Sequence, residues 1–564
     1  MYKIRLQIGI SIIGILIVGF LLYRQSKALT VSVSSAPGGT YVEGVIGAPK
    51  ELNPLMFSRR PADRDLVKLI YAGMMKFDGS GFPTPDLAES WAVTADGLSY
   101  TFVIRSGLRW HDGVPLSLDD VIFTIGLMQA EDYPGPVDVG ALWKQVTVAK
   151  LNSNTLKLTL PEPYAPFLDN TTFPVLPAHM FSGVRSVDIQ LHPANFRAIG
   201  SGPFKLEEVV VDEDNNLLEI LLHENSLYHD NKPLLSAIKF IYYDNENLAV
   251  QALEQETIMG IGGTSQRTVQ DIMINNGFHV HTSVLPDTKM ILFNHQNESL
   301  NFFQDKKVRT ALMLGLNRKL LIDDYLFGQA VLAKSPILPG NWAFNSDLKS
   351  MDYDPSKASS LLYEAGWIAD VPEDSLGDSY NYTLKKNDDE LSFEMICPED
   401  SLSVDLCEAT IDNWSDLGIE VSIRIVKSDY VMKQHLENRD FEAIMVDLSL
   451  QNNPDPDPYP FWHQTEIESG QNYSGYDNRR ISEYLEQARI TPAISSRLAL
   501  YKMFQKRFVD EMPALLIYHP TYSYITNVSV NGVNMGPIVE SSDRFNSIFE
   551  WYIVVRRVVG GSIN

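Results

Sequence analysis

Two groups of side chains in this 564-residue sequence contain residue types that can take part in proton transfer or metal binding. His111 and Asp112 are adjacent, a combination that can act in acid–base catalysis, but no nucleophile or third partner lies nearby. His279 and His281 would share one face of a strand, with Asp287 close in sequence, yet they lack a third ligand. We therefore expect a turn at the first pair, a surface strand at the second, and no bound metal.

Motifs for covalent catalysis and for phosphate binding are also missing. Ser201 lies between two glycines, but the chain has no GxSxG elbow, so residues 200–202 are interpreted as a turn. No phosphate loop ends in Gly-Lys-Ser or Gly-Lys-Thr, which excludes the ATPase of a transporter. Helix caps or solvated faces explain the adjacent carboxylates at 119–120, 323–324 and 389–390. The sequence therefore predicts a protein that is not an enzyme and needs no cofactor.

The most unusual string in the chain is Pro-Asp-Pro-Asp-Pro-Tyr-Pro-Phe-Trp-His at residues 454–463. Its four prolines exclude a regular helix or a central strand. The string follows a predicted strand at 441–448, so it forms a rigid loop at a strand end, where functional residues are common. A purely structural loop is the alternative. We expect the loop to line a binding cleft.

Local patterns define the elements that must position such a loop. Residues 99–105 alternate between apolar and polar side chains and predict a half-buried strand between two turns. Ser117 with Asp120 resembles a capping box, and the apolar spacing over 121–128 predicts a helix behind it. Strand and helix patterns interleave along the body, which is typical of a mixed α/β protein.

Two further helices are predicted later in the chain. Val308, Ala311, Leu312 and Leu316 share one helix face, and Leu320 follows at helical spacing. A second helix begins with Asp354 as N-cap and Pro355 as its first residue, buries Leu361 and Leu362, and ends at Gly366. These residues belong to cores and caps, so none of them predicts chemistry.

The composition excludes some partners. A formal net charge of −25 argues against nucleic acid, because a phosphate backbone would be repelled. The acidity favours solubility, and it weakly favours the binding of cationic or neutral ligands. The two cysteines, Cys397 and Cys407, lie at the end of a predicted strand and on the next amphipathic stretch. A disulfide between them and two free thiols both stay open.

An uncharged segment from Leu6 to Tyr23 precedes the body. As a helix it would span roughly 27 Å, close to the ~30 Å hydrocarbon core of a bilayer. One interpretation is an uncleaved membrane anchor, which we favour because charges flank both ends. The other is a signal peptide cut after Ala28. Both interpretations place the body outside the cytoplasmic membrane, in the periplasm or at the cell surface.

Residues 87–123 resemble the family-5 extracellular solute-binding proteins, the peptide-, dipeptide- and nickel-binding receptors of ABC importers. They read LAESW-x-V-x-x-DGLSYTF-x-IR-x-GL-x-WHDGVPL-x-x-DDV-x-F. Each motif is weak alone, but several recur in the family's order. Those further motifs are at 53–55 (NPL), 200–204 (GSGPF), 224–240, 308–318 (VRTAL to NR), 353–367 (YDP to EAGW) and 472–476 (NYSGY).

The resemblance implies a two-lobed, periplasmic-binding-protein-like α/β fold (type II, cluster C-like) with an extra inserted domain, preceded by one N-terminal hydrophobic helix. Domain I is discontinuous, domain II is inserted early and domain III is contiguous, and the lobes close like a hinge on a ligand. The expected segments are an anchor or signal segment at 1–28, a linker at 29–40, domain I at 41–75, 200–288 and 528–564, domain II at 76–199, and domain III at 289–527.

The resemblance also implies where a solute binds, because the family has a similar loop lining the cleft of domain III. In its peptide binders an aspartate just before that loop meets the ligand's amino terminus. Here no carboxylate stands at 451–454, which leaves room for a neutral or otherwise polar solute, and Asp447 lies further back. The predicted binding residues are Asn452, Asn453, Asp455, Asp457, Tyr459, Trp462 and Trp342.

The implied function is that of a substrate-binding protein of an ABC transporter. It would capture an oligopeptide or peptide-like solute outside the cytoplasm and deliver it to a permease in the membrane. The protein is expected to be a monomer. The alternatives are a sensory receptor on the same fold and an anchored hydrolase. The absence of a nucleophile–base or metal pattern argues against the hydrolase.

Overall fold

The computed structural model describes residues 14–20, 31–58, 60–78, 81–274, 277–369, 382–427, 430–449 and 454–559. The α-helices are α1 (Pro61–Ile70), α2 (Leu118–Gln129), α3 (Val137–Gln145), α4 (Ala178–Phe181), α5 (Glu246–Glu254), α6 (Gln266–Met273), α7 (Lys306–Leu314), α8 (Arg318–Tyr325), α9 (Pro355–Glu364), α10 (Ser401–Ser415), α11 (Tyr459–Trp462), α12 (Arg479–Ile490) and α13 (Ile494–Glu511).

The strands up to the middle of the chain are β1 (Val31–Ala36), β2 (Thr40–Ile46), β3 (Met75–Phe77), β4 (Pro83–Pro85), β5 (Ala88–Val93), β6 (Ser99–Ile104), β7 (Thr147–Lys150), β8 (Thr155–Thr159), β9 (Phe204–Val211), β10 (Leu217–Glu224), β11 (Ala237–Tyr243), β12 (Gly260–Gly262), β13 (Phe278–Val284) and β14 (Asp287–Phe293). The later strands are β15 (Ala330–Leu332), β16 (Ile368–Ala369), β17 (Leu384–Lys386), β18 (Asp389–Glu390), β19 (Ser392–Pro398), β20 (Glu420–Val426), β21 (Ala443–Ser449), β22 (Ala514–Asn527) and β23 (Val554–Val559).

One long strand, β22, belongs to both halves of the main sheet. Its first residues pair with β14 and β15, and its last residues pair with β12 and β13. The strand order across the sheet is β20-β19-β21-β14-β22-β12-β2-β11-β10-β9. We call residues 37–284 with 521–553 the first lobe, and residues 287–518 the second lobe.

Two short backbone segments connect these lobes. β13 runs into β14 through residues 285–286, and β22 passes through 518–521 beside it. The Leu285 N–H donates to the Pro520 carbonyl at 2.9 Å, which joins the two segments. Pro520 itself has no N–H to give to the ladder, so regular pairing is weakest where the lobes meet.

A smaller antiparallel sheet, β5-β6-β8-β7, lies in the early part of the first lobe. Phe102, Leu156 and Leu158 are fully buried on this sheet and join one core with residues of α2. The capping box predicted for α2 is confirmed, because Ser117 and Asp120 cap each other's backbone reciprocally. The strand predicted at 99–105 is confirmed as β6.

The helix predicted over 308–320 is interrupted. Val308, Ala311 and Leu312 are buried in α7, as expected, but α7 ends at Leu314. Asn317 then caps a new helix, α8, by accepting the Leu320 N–H at 3.1 Å. The prediction that Leu320 continues the buried face was therefore wrong: the side chain is 44% exposed, because the second helix starts with its own phase.

Part of the predicted linker forms a two-stranded antiparallel ribbon with the far end of the chain. Residues 29–40 were predicted to be a linker, whereas Val31–Ala36 form β1 and pair antiparallel with Val554–Val559 of β23. The alternation of valine and serine in 31–34 suits a strand as well as it suits a linker. Composition alone therefore did not separate the two states.

Cys397 at the end of β19 and Cys407 in α10 are joined by a disulfide bond. The bond ties the amino-terminal half of α10 to the strand before it. Both residues are fully buried in the second lobe. The question that the sequence left open is thus answered in favour of the disulfide.

The predicted membrane segment is only partly described. Residues 14–20 are helical, and the rest of Leu6–Tyr23 lies outside the described residues. Among the helices that the structure describes, none is both long enough and apolar enough to span a bilayer.

Candidate functional site

A cavity of about 280 Å³ opens in the first lobe and reaches the second lobe at Pro454. It is lined by α1 and the turn before it, by β3, and by the 3₁₀ helix Ser541–Glu550. Residues 172–174 close another side. The volume is close to the lower end of ordinary ligand pockets, roughly 300 Å³. Pro454 begins the proline-rich loop that the sequence singled out.

Charged side chains on the cavity wall are arranged in pairs of opposite sign. Arg64 Nε lies 3.0 Å from a Glu540 carboxylate oxygen, and Lys68 Nζ lies 3.1 Å from Asp543. The side chains of Arg64, Lys68 and Glu540 are partly exposed, whereas Asp543 is largely buried. The cavity therefore presents both signs of charge on one wall.

Apolar and aromatic side chains form the rest of the wall. Phe549 stacks on Tyr228 with ring centroids 5.6 Å apart, and Lys76 Nζ lies 5.7 Å from the Phe549 centroid. Aromatic rings give a ligand both contact area and a polar rim. The other apolar residues lining the cavity include Phe57, Val67, Met75, Phe77, Phe173, Phe545 and Ile548.

The turn before α1 is held by a buried carboxylate. Asp63 accepts the backbone N–H groups of Lys50 and Glu51 and the Ser58 hydroxyl at 2.7, 3.2 and 2.5 Å. Asn53 accepts the Leu55 N–H at 3.0 Å and so starts the 3₁₀ turn at Pro54. These bonds fix the cavity wall that carries the NPL motif.

The two aspartates of the proline-rich loop are each bound by an arginine of the second lobe. Asp455 forms two hydrogen bonds with Arg497 of α13, and both side chains are nearly fully buried. Asp457 accepts three from Arg489 of α12, at 2.7, 2.9 and 3.0 Å. Both carboxylates therefore already have cationic partners in this structure. Their contact with a solute stays a prediction.

The aromatic residues predicted for the site occupy different environments. The Tyr459 ring stacks on His463 with centroids 3.9 Å apart, and the Arg489 guanidinium carbon lies 3.8 Å from the Tyr459 ring centroid. Trp462 is only 3% exposed and packs edge-on against Phe508 in the core of the second lobe. Trp342 is half-buried at the boundary between the lobes. Asn452 and Asn453 lie outside the described residues.

The lobes touch each other directly beside the cavity. The Asp455 N–H donates to a carboxylate oxygen of Asp169 in the first lobe at 2.8 Å. Trp342 contacts Phe82 of the first lobe, with ring centroids 5.9 Å apart. Arg489 lies 5.8 Å from the Tyr164 ring. The proline-rich loop therefore forms the closed contact between the lobes, and its first residue also lines the cavity.

Asp447, the carboxylate noted further back in the sequence, is also engaged. Its Oδ2 lies 2.6 Å from the buried Lys289 Nζ, which in turn donates to the Ser403 hydroxyl at 3.0 Å. A solute amine at this position would compete with a lysine that has little access to water. Asp447 is therefore a poor replacement for the missing carboxylate.

The histidine pairs lie outside the cavity. His111 accepts the Gly200 N–H at Nδ1 and contacts the Gly202 carbonyl through Nε2, and burial lowers its pKa to about 4. His281 contacts the Thr526 hydroxyl on β22. Within the described residues, no group of three or more metal-ligating side chains occurs.

Sequence reasoning located one edge of the cavity and missed most of its wall. Its signals for the first-lobe wall were the family motifs at 53–55, 200–204 and 224–240, which contribute Asn53, Pro203 and Tyr228 and were not interpreted as binding residues. The stretch at 539–549 gave no signal, because it reaches the cavity only through the return of the chain to the first lobe. Distant segments that meet in one cavity leave no local pattern.

Comparison with known proteins places these features in a family. The sequence profile of the bacterial extracellular solute-binding proteins, family 5 Middle, matches residues 83–469. The chain is 27% identical over 530 residues to the oligopeptide-binding protein AppA of Bacillus subtilis, covering 92% of each chain. It is 24% identical over 559 residues to the dipeptide-binding protein of Escherichia coli, covering 94% of this chain and 98% of that one.

The fold is similar as well. The structure of Bacillus subtilis AppA in complex with a nonapeptide superimposes with a TM-score of 0.65 at 26% identity. The match covers 92% of this chain and 100% of that one. The two-lobed architecture derived above is therefore shared with a peptide-bound relative.

Proposed function

Because the chain belongs to the bacterial extracellular solute-binding proteins of family 5, we propose that it captures an oligopeptide or peptide-like solute for an ABC importer. A substrate-binding role outside the cytoplasm follows from the family itself. The finer steps, which are the choice of a peptide and its delivery to a membrane permease, are our proposal. The relatives named above for oligopeptide and dipeptide binding support it.

The observation that carries the proposal is the cavity beside the contact between the lobes. A solute in this cavity would be enclosed by the first lobe and covered at Pro454 by the second. Hinge closure around a ligand between two lobes is a standard way of sequestering it from water. The two connecting segments at 285–286 and 518–521 supply the hinge.

The charge pattern of the wall fits a zwitterionic solute. A carboxylate end would meet Arg64 or Lys68, and an ammonium end would meet Glu540 or Asp543. Both ends would then exchange partners with existing ion pairs, so no charge is left buried alone. The aromatic wall around Phe549 would take apolar side chains. We propose that this mixed wall is where a peptide is held.

The proposal includes what the protein does not do. We propose that it does not cleave its solute, that it acts as a monomer, and that it works without a cofactor. The charged side chains of the wall support the first point, because they neutralise one another instead of activating a nucleophile.

Co-purified material and defined peptides test the binding proposal. Native mass spectrometry of the full-length protein should show a bound peptide, and calorimetry with a defined set of di-, tri- and nonapeptides should identify binders. Val67→Trp places an indole in the cavity and should weaken binding by at least about tenfold, which is about 1.4 kcal/mol.

Val137→Trp is the matched control, because that side chain is 88% exposed and lies away from the cavity. It should bind as the wild type does. Failure of the wild type to bind any member of the set, or equal binding by both tryptophan variants, would contradict the proposal. Cleavage of a bound peptide by a pure preparation would contradict the statement that the protein is not an enzyme.

A further inference from the structure

The contact between the lobes brings together more negative than positive charge. Asp455 and Asp457 come from the proline-rich loop, and Asp169 comes from the 3₁₀ helix Ala165–Thr172 of the first lobe. Arg497 and Arg489 neutralise the two loop aspartates through paired hydrogen bonds. Three carboxylates and two guanidinium groups therefore meet at the boundary, and Asp169 is the one contributed by the first lobe.

Asp169 is the carboxylate without a cation of its own. It is 3% exposed, and its partner across the boundary is the backbone N–H of Asp455 at 2.8 Å. Within the described part of the chain, no lysine, arginine or histidine forms an ion pair with it. A buried carboxylate that lacks a counter-ion is costly in its charged form.

The second lobe contributes to the surroundings of the buried Asp169 carboxylate. Pro454 and Asp455 lie against it in the closed arrangement, and they belong to the lobe that moves when the hinge opens. Separation of the lobes would return the carboxylate to water and remove the nearby Asp455 charge. The same side chain is thus hydrated when the lobes are open and desolvated when they are closed.

We propose that closing the lobes takes up one proton at Asp169, so that solute capture by this protein is favoured at acidic pH. The inference rests on the proposed function for its meaning, since closure is what would retain a solute. The proton is placed on the Asp169 carboxyl group, because Asp455 is bound by Arg497 through two hydrogen bonds whereas Asp169 receives only the Asp455 backbone N–H. Protonated Asp169 then places a neutral carboxyl group against the second lobe.

The direction of the pH dependence follows from the charges. Burial and the neighbouring Asp455 raise the pKa of Asp169 well above its ordinary value in the closed form, and the Asp455 N–H and Arg497 oppose this only in part. The favourable contribution of Asp169 protonation to closure is therefore fully present below the ordinary aspartate pKa of about 3.9. This contribution is lost as the pH rises through the raised pKa of the closed form.

Other titratable groups surround Asp169, and the arginines among them stay charged throughout. Burial raises the pKa of Tyr100 to about 12 and raises that of Tyr164 further, so both stay neutral. Tyr501 is likewise raised by burial. The groups facing the contact are Tyr100 on β6, Tyr164 beside Asp169, Asp455 and Asp457 on the loop, Arg489 on α12, and Arg497 and Tyr501 on α13.

Spin-label distances between the lobes test the proposal without any ligand. The chain's two cysteines are bonded to each other, so labels can be attached at Leu151→Cys and Tyr363→Cys, which are exposed on opposite lobes. In the full-length protein, we expect the closed-to-open ratio to rise as the pH falls from about 8 to about 4.5, by up to about tenfold per pH unit.

Asp169→Asn keeps an oxygen that can accept the Asp455 N–H but removes the charge. We expect its closed-to-open ratio to be high and independent of pH. Asp169→Ala removes both and should be independent of pH with a smaller closed fraction. Asp138→Asn, on the exposed surface of the same lobe, should behave as the wild type does. A thermal unfolding curve for each variant shows that it is folded.

The proposal is overturned if acidification does not shift the wild type towards the closed distance. It is also overturned if the two Asp169 variants keep the pH dependence of the wild type. Neither outcome depends on whether a peptide binds, so failure here is distinct from failure of the proposed function.

Discussion

At the scale of single residues, one buried ion cluster holds the first lobe together. Arg544 contacts Asp65 of α1 at 2.6 and 2.7 Å and Glu43 of β2 at 2.9 Å, and all three side chains are almost fully buried. Tyr524 donates to Glu43 at 2.6 Å. The cluster fastens the returning chain at 541–550, and with it one wall of the cavity, to the sheet.

Replacement of Arg544 by methionine should leave two buried carboxylates without a cation. We expect a loss of about 3–5 kcal/mol in the free energy of unfolding at neutral pH. Burial raises the pKa of Glu43 and of Asp65, and Arg544 opposes that rise. Without Arg544 both carboxyl groups should therefore protonate more readily in the folded state, and the loss should shrink as the pH falls towards the ordinary carboxyl pKa.

Urea unfolding at neutral and mildly acidic pH measures both quantities. Arg185→Met is the control, because its ion pair with Asp188 is exposed and its removal should leave stability unchanged. An Arg544→Met variant that is as stable as the wild type at neutral pH would show that the cluster contributes nothing.

Trp462 provides a second prediction at this scale. The sequence placed it among the binding residues, whereas its ring lies in the core of the second lobe against Phe508. Trp462→Ala should therefore destabilise the protein by about 3–5 kcal/mol, as expected for a large cavity in a core. Phe196→Ala, at a side chain that is 76% exposed, should change stability by no more than about 0.5 kcal/mol. Weakened binding at full stability would instead support the predicted contact of Trp462 with a ligand.

The sequence could identify these residues but not their surroundings. Asp455 and Asp457 were singled out for the proline-rich string around them, and that string does form a contact between lobes. Their arginine partners are 42 and 32 positions away, and Asp169 is 286 positions away. No local periodicity records such pairings, so the sequence could not show that arginines bind these carboxylates.

At the scale of elements, local signals were sufficient where the structure is local. Asp354 caps α9 by accepting the Lys357 N–H at 2.9 Å, and Gly366 follows the helix with a φ of +92°. Both features were predicted from side-chain type alone. The prediction failed at Leu320, because a new cap at Asn317 competes with continuation of the helix, and propensity does not decide between them.

The disulfide between β19 and α10 gives a prediction for these two elements. It closes a short loop, with a sequence separation of 10. Simultaneous replacement of Cys397 and Cys407 by alanine should lower the free energy of unfolding by about 2–4 kcal/mol, mostly by freeing the unfolded chain. Unfolding of the wild type in a reducing agent should give a similar decrease. Equal stability of the oxidised, reduced and alanine forms would contradict this expectation.

At the scale of the whole molecule, the two-lobed α/β fold was correctly derived from the resemblance, and the family match confirms it. The chain crosses between the lobes more than once, and the cavity collects residues from near 50, 173, 454 and 545. Only a complete tertiary arrangement defines such a cavity. The domain boundaries derived from the sequence stay a prediction.

Attachment of the whole molecule to a membrane is a proposal that the uncharged segment Leu6–Tyr23 supports. We expect the full-length protein to stay in the membrane fraction after a carbonate wash, because about 20 apolar residues suffice to span a bilayer. Protein sequencing of the amino terminus distinguishes the alternatives. A soluble form that begins at Leu29 would establish cleavage after Ala28 and contradict the anchor.

The passage of β22 through both lobes determines how they can move. Because one strand pairs with β14 at one end and with β13 at the other, we expect the lobes to rotate about an axis near residues 518–521 and not to slide past each other. Displacement in a rotation grows with distance from the axis. We therefore expect side chains at the hinge to keep their neighbours during such a rotation, and contacts farther from the axis to separate first. A small rotation near Pro520 would in this way carry Pro454 away from the first-lobe wall of the cavity.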